Sequence, residues 1–176
     1  TPNINQLAKE GVTFTNAYVT ASVCAPSRAG LLTGRYQQRF GFEHNTSKKL
    51  AQGFTMEDVG LDVEQHTIAD DLKANGYRTI AIGKWHQGVL DKYFPLQRGF
   101  DEFFGFKEGH RDFFGYKTER ADAFALYDNN NIVPEDKITY LTDMLTDRAI
   151  DFIVRNKFNP FFIYLSYNAV HTPLQA

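Results

Sequence analysis

Apolar positions along the chain fall into a few short periodic runs separated by glycine, proline and polar stretches. Ile4, Leu7 and Ala8 share one face of a short helix that Thr1 can cap, with Pro2 in its first position and Gly11 at its end. Val12 to Val19 predicts a strand. A helix is expected to begin near Cys24 and leave at Gly34. From Glu43 to Gln65 the chain is polar and irregular. Thr67 predicts the cap of another helix, with Ile68, Ala69 and Leu72 inward and Gly76 as its stop. Tyr77 to Ile82 reads as a buried strand running straight into Lys84. Residues 88–130 are rich in Gly and Phe without clear period, which suggests a long excursion over the active face. Leu141, Leu145, Ala149, Phe152 and Ile153 mark an amphipathic helix, Pro160 breaks the chain, and Phe161 to Tyr167 predicts a last strand.

Strands separated by helices imply an α/β fold with a mainly parallel sheet. In open sheets of that kind, ligands bind beyond the carboxyl ends of the strands. On this reading Cys24 follows the first strand, Lys84 the second and His171 the last. Three residues with chemistry to offer are thereby placed at one end of one sheet.

Bulk properties narrow the partners. The 176 residues are 43% hydrophobic and 15% aromatic, enough for a sizeable globular core. The formal net charge of -2 gives no basic surplus of the kind nucleic-acid binding requires. No apolar run is long enough to span a bilayer. One cysteine excludes an internal disulfide framework. There is no initiator methionine, so a processed or truncated piece is expected.

A lone cysteine is ordinarily a small buried apolar residue. The surroundings of Cys24, in Cys24-Ala-Pro-Ser-Arg-Ala-Gly-Leu-Leu-Thr-Gly-Arg35, argue for more. A thiol at a helix start, close to Arg28, feels two influences that favour its ionised form. Pro26 suits a first helical turn, Ser27 is a capping-type residue, and Gly30 permits close packing. Direct use of the thiol as in cysteine phosphatases needs an arginine six positions after the cysteine; Gly30 stands there instead.

That dodecapeptide resembles the signature of type I sulfatases, of the alkaline phosphatase superfamily. Four further blocks resemble the family in the same order: Gly83-Lys-Trp-His-Gln-Gly88, Arg98-Gly-Phe-Asp-Glu-Phe-Phe-Gly105, Tyr140-Leu-Thr-Asp143 and His171-Thr-Pro173. The opening Thr1 to Tyr18 is similar to the family's lead-in helix and strand. The resemblance implies an alkaline-phosphatase-like α/β/α sandwich and hydrolysis of sulfate monoesters, with sulfated carbohydrate as substrate class and aryl sulfates as artificial substrates. It implies that Cys24 is oxidised to formylglycine by a formylglycine-generating or sulfatase-maturating enzyme, and that the hydrated aldehyde is the nucleophile. Arg28 then holds the formylglycine hydroxyl, Lys84 meets a sulfuryl oxygen, His86 contacts the formylglycine or sulfate, and His171 faces the ester oxygen. A periplasmic, secreted or lysosomal location goes with such a family.

The resemblance also implies a divalent cation, usually calcium, held by Cys24 as formylglycine and by two acidic or amide pairs. Such oxygens suit a hard ion. In family order the first pair precedes Thr1 and the second follows Ala176. Residues 1–176 are therefore expected to be part of the N-terminal catalytic domain, without the first metal-binding strand or the C-terminal part, and weak or inactive alone. Asp70-Asp71 and Asp128-Asn129 mimic the two pairs but stand in the wrong order and are expected at the surface. Two alternatives stay open: a phosphonate or phosphate monoester hydrolase of the same superfamily, and a fragment that only binds sulfated ligands. Tyr36, Phe42 and Tyr116 are aromatic candidates for stacking on a sugar.

Overall fold

A computed structural model describes residues 1–46, 55, 58–115 and 124–175. Four α-helices are α1 (Pro2–Glu10), α2 (Cys24–Thr33), α3 (Ile68–Ala74) and α4 (Leu141–Asn156). Five strands, β1 (Arg78–Lys84), β2 (Glu102–Phe106), β3 (Tyr127–Asp128), β4 (Asn131–Ile132) and β5 (Phe161–Ser166), form one sheet in the order β4-β3-β2-β1-β5. The central strands β2, β1 and β5 run parallel, and β3 and β4 add an antiparallel hairpin beside β2.

Helices cover both faces of this open sheet, giving three layers. On one face Ile80, Ile82, Phe104 and Phe106 pack against Leu141, Leu145 and Phe152 of α4. On the other, Ala81 and Phe103 join Leu32 of α2 and Ala69 of α3, with Trp85 set edge-on against Phe100. Burying a side chain of this size contributes about 1.5–3 kcal/mol, so two such clusters hold the sheet between its helices. The expected α/β/α arrangement with a mainly parallel core is the one observed.

The strands approach closely where glycines align. Gly83 of β1 pairs with Gly105 of β2 on one side and Ser166 of β5 on the other. A Cβ at Gly83 would strike the Ser166 carbonyl, and one at Gly105 would strike the carbonyl of Gly83. Gly83 also has φ 94°, a backbone that side chains resist. This pinch lies one residue before Lys84 and draws the carboxyl ends of three strands together.

Several local expectations change. Residues 12–19 form no strand: Val12, Phe14, Tyr18 and Val19 are exposed and have no ladder partner among the described residues. The face of α1 carrying Ile4 and Leu7 is exposed as well. Cys24 therefore does not follow a strand; it opens α2 after an extended lead. The 88–130 region is not a mere excursion, because it contains β2 and β3. Ile68 and Ile153 point outward, while Ala69 and Asn156 are buried. Thr67 does cap α3, in a reciprocal pairing with Asp70, so Asp70 is half-buried and structurally occupied while Asp71 is exposed. Asp128 pairs with Arg148, and Asn129 accepts from the Phe103 amide at 3.0 Å, so this partly exposed pair also braces the sheet end. Among the described residues, no helix is long and apolar enough to cross a membrane.

Candidate active site

The site is built where β1, β5 and α2 meet. Cys24 is the first residue of α2, after Val23 in extended conformation. Ser27 does not cap the helix; its amide already bonds the Val23 carbonyl at 3.3 Å. The free amide of Ala25 is instead satisfied by Asn45 Oδ1 at 2.9 Å, from a loop twenty residues on. Gly30 brings α2 against Thr20, where a Cβ would collide with the threonine hydroxyl. Gly34, at φ 64°, ends the helix as expected.

Arg28 lies one turn beyond Cys24 and reaches across to the sheet. Its Nη1 donates to the Lys84 carbonyl at 2.8 Å and to Tyr164 Oη at 3.0 Å, and it also meets Ser166 Oγ. The guanidinium is thus held by the last turns of β1 and β5. Lys84, the final residue of β1, is buried and lines the same cavity as Cys24. Burial, and then the charge of Arg28, lower the Lys84 pKa, while Cys24 works against them. One thiol and two cations are consequently gathered at the strand ends, an arrangement suited to an anionic group.

His86 follows in a strained backbone, with φ 58° in a region most side chains avoid. It is 4% exposed. Burial, then the charges of Lys84 and Arg28, push its pKa down to about 3, against a hydrogen bond to the Thr46 main chain that raises it. The imidazole is therefore neutral at physiological pH. Its buried Nδ1 has no hydrogen-bond partner among the described residues.

His171 sits on the turn after β5, where its amide bonds the Asn168 carbonyl at 2.8 Å. Its Nδ1 lies 2.8 Å from the Thr172 carbonyl. That contact assigns the proton to Nδ1 in the neutral ring and leaves Nε2 for other work. Two cavities of about 510 and 350 Å³ flank the nucleophile candidate, and Cys24 and His171 line both. Arg28 and Lys84 line the first, His86 and His110 the second. All five residues expected from the sequence are thereby brought into one region.

Other participants lacked a sequence signal strong enough to single them out. Asn45 and Thr46 lie in a polar loop without periodicity. Tyr164 and Ser166 belong to a strand read only as core. His110 follows β2, and would have stood out by the strand-end rule had that strand been recognised. Of the aromatic candidates, Tyr36 is exposed, Phe42 is buried against Ala25, Ala29 and Leu61, and Tyr116 lies outside the described residues.

The donor set for a hard divalent ion is not assembled here. Among the described residues, no three His, Cys, Asp or Glu side chains are grouped so as to hold a metal. Asp70 and Asp128, the two tempting acids, are engaged in a helix cap and an ion pair.

Comparison with known proteins extends the geometry. A family model described as Sulfatase matches residues 1–176. Arylsulfatase J of Mus musculus is 36% identical over 182 residues, covering 100% of this chain and 29% of that protein. N-acetylgalactosamine-6-sulfatase of Homo sapiens is 34% identical over 187 residues, covering 100% of this chain and 36% of that protein. The crystal structure of Ps i-CgsB superposes with a TM-score of 0.86 at 38% identity, covering 100% of this chain and 41% of that one. That protein has also been solved in complex with k-i-k-neocarrahexaose. The chain thus spans about a third of the length of the curated relatives, between 29% and 36% for these two.

Proposed function

The chain belongs to the sulfatase family, and on that premise we propose that its parent protein hydrolyses a sulfate monoester at Cys24, releasing inorganic sulfate. The observation that carries this reading is the convergence of Cys24, Lys84 and Arg28 at the ends of β1 and β5. A sulfuryl group is a compact, oxygen-rich anion, and two fixed cations beside a nucleophile position offset the charge that builds on its oxygens. Substrate is proposed to be a sulfated carbohydrate, and the compartment a periplasmic, secreted or lysosomal one.

Cys24, converted to formylglycine by a maturating enzyme, would supply a hydrated aldehyde: one hydroxyl to attack sulfur, the other to expel sulfate afterwards. The chain's own residues do the rest. Arg28, anchored on Tyr164 and Ser166, orients residue 24 from the side of β5. Lys84 holds a sulfuryl oxygen as a point cation. Neutral His86 packs beside the same group without adding charge. His171, its Nδ1–H donating to the Thr172 carbonyl, takes a second proton on Nε2 and as the imidazolium gives it to the leaving oxygen. Calcium is proposed for the whole protein, but the described residues do not make its acidic site, so no step is assigned to it.

Paired turnover of 4-nitrophenyl sulfate and 4-nitrophenyl phosphate tests the reading. The protein should be expressed from its complete reading frame together with a maturating enzyme. Faster sulfate release is expected, and Lys84→Ala should lower it by about 10²–10³-fold. Preference for the phosphate would reassign the site to the phosphoester branch of the superfamily, and turnover of neither would remove the hydrolase reading.

A further inference from the structure

The loop after β2 and the loop after β5 are laced together. Asn168 Nδ2 donates to the Arg111 carbonyl at 2.7 Å, and the Phe113 amide donates to Gln175 Oε1 at 2.8 Å. Between these two bonds the rings of His110 and His171 lie face to face, 5.5 Å apart and 9° from parallel. Phe124 closes on the far edge of His110 at 69°. Below them Arg111 is fully buried and paired with Glu135 at 3.0 Å, which fixes the base of the β2 loop. Gly109 completes the wall, because a Cβ there would come within 2.8 Å of the His86 ring. The segment 109–111 therefore touches both site histidines, by backbone at His86 and by an aromatic face at His171.

His171 needs such a support. It is exposed and rests on a turn, and its hydrogen bond to the neighbouring Thr172 does not by itself fix the plane of the ring. A parallel ring on one face restricts the imidazole plane without occupying Nε2. We propose that His110 is a positioning residue, whose stacked ring aims His171 Nε2 at the leaving-group oxygen. This rests on the reading of the site as a sulfate-ester hydrolase with His171 as proton donor. In that step a hydroxyl oxygen on residue 24 bonds to sulfur as the S–O bond to the leaving group breaks; the electron pair stays on the departing oxygen, which takes the Nε2 proton of the His171 imidazolium and leaves the ring neutral with its proton on Nδ1.

The role has a signature that a purely structural one lacks. Proton donation matters most for leaving groups that are poor as anions and least for good ones. The measurement is kcat/KM over a series of aryl sulfates from 4-nitrophenyl to 4-methylphenyl, using the protein expressed from its complete reading frame and matured. His110→Ala should cost less than about threefold on 4-nitrophenyl sulfate and at least about tenfold on the poorest leaving group, steepening the dependence. His110→Phe, which keeps an aromatic face, should restore a slope close to that of the unaltered protein. Equal losses across the series, or a Phe variant as impaired as the Ala variant, would overturn the proposal while leaving the hydrolase reading intact. No cleavage of any member by the unaltered protein would overturn both.

Discussion

His86 concentrates the physical tension of the site in one side chain. Its ring is buried, next to two cations, on a backbone at φ 58°. Folding therefore favours the neutral ring, with its pKa pushed down to about 3, whereas the unfolded chain titrates near the ordinary value of about 6.5. The sign follows directly. Below about pH 6.5 the unfolded state takes up a proton that the folded state refuses, so stability falls as pH drops toward 3. Urea unfolding of the protein and of His86→Gln should diverge by about 2 kcal/mol on going from pH 7 to pH 5, the variant being less acid-sensitive. Parallel pH profiles would show that His86 is not held neutral. The candidacy of this residue was legible only through its Gly83-Lys-Trp-His block; neither the strain nor the Nδ1 left unpaired among the described residues is visible in a string of letters.

Among the elements, α2 shows what sequence can and cannot deliver. Its start at Cys24, its tight contact at Gly30 and its exit at Gly34 all follow from residue types whose backbone demands are local. Its cap does not, since Asn45 arrives from a distant loop and no local rule points to it. Asn45→Ala should cost about 1 kcal/mol, the worth of one hydrogen bond, and should also lower turnover because the freed amide lies next to Cys24. Unchanged melting and unchanged turnover would remove Asn45 from the site. The strands divide in the same way. β1 and β5 carry β-branched and aromatic runs that announce themselves. β2 is interrupted by Gly105, and that glycine is present because Gly83 passes too close for a side chain. A tertiary demand thus erased the strand's own signature. Residues 12–19 err in the opposite direction: they have strand propensity, but propensity without a partner yields no ladder.

At the scale of the whole molecule, two aromatic-rich clusters clamp a pinched parallel sheet, and the pinch delivers Arg28, Lys84, Cys24 and the two histidine-bearing loops to one end. The rule that ligands gather at the carboxyl ends of parallel strands anticipated this, even though Cys24 reaches the place from a helix start and not from a strand. The described residues assemble no metal-donor set, so the proposed nucleophile and its surrounding cations are the part of the chemistry on which this chain bears. The account turns on residue 24 acting as an aldehyde-derived nucleophile. Its most direct test is peptide mass spectrometry of residue 24 combined with turnover of 4-nitrophenyl sulfate, on preparations made with and without a maturating enzyme. Turnover should rise in proportion to the fraction carrying the aldehyde mass and vanish in Cys24→Ala; full multiple turnover by protein that retains the thiol throughout would contradict it.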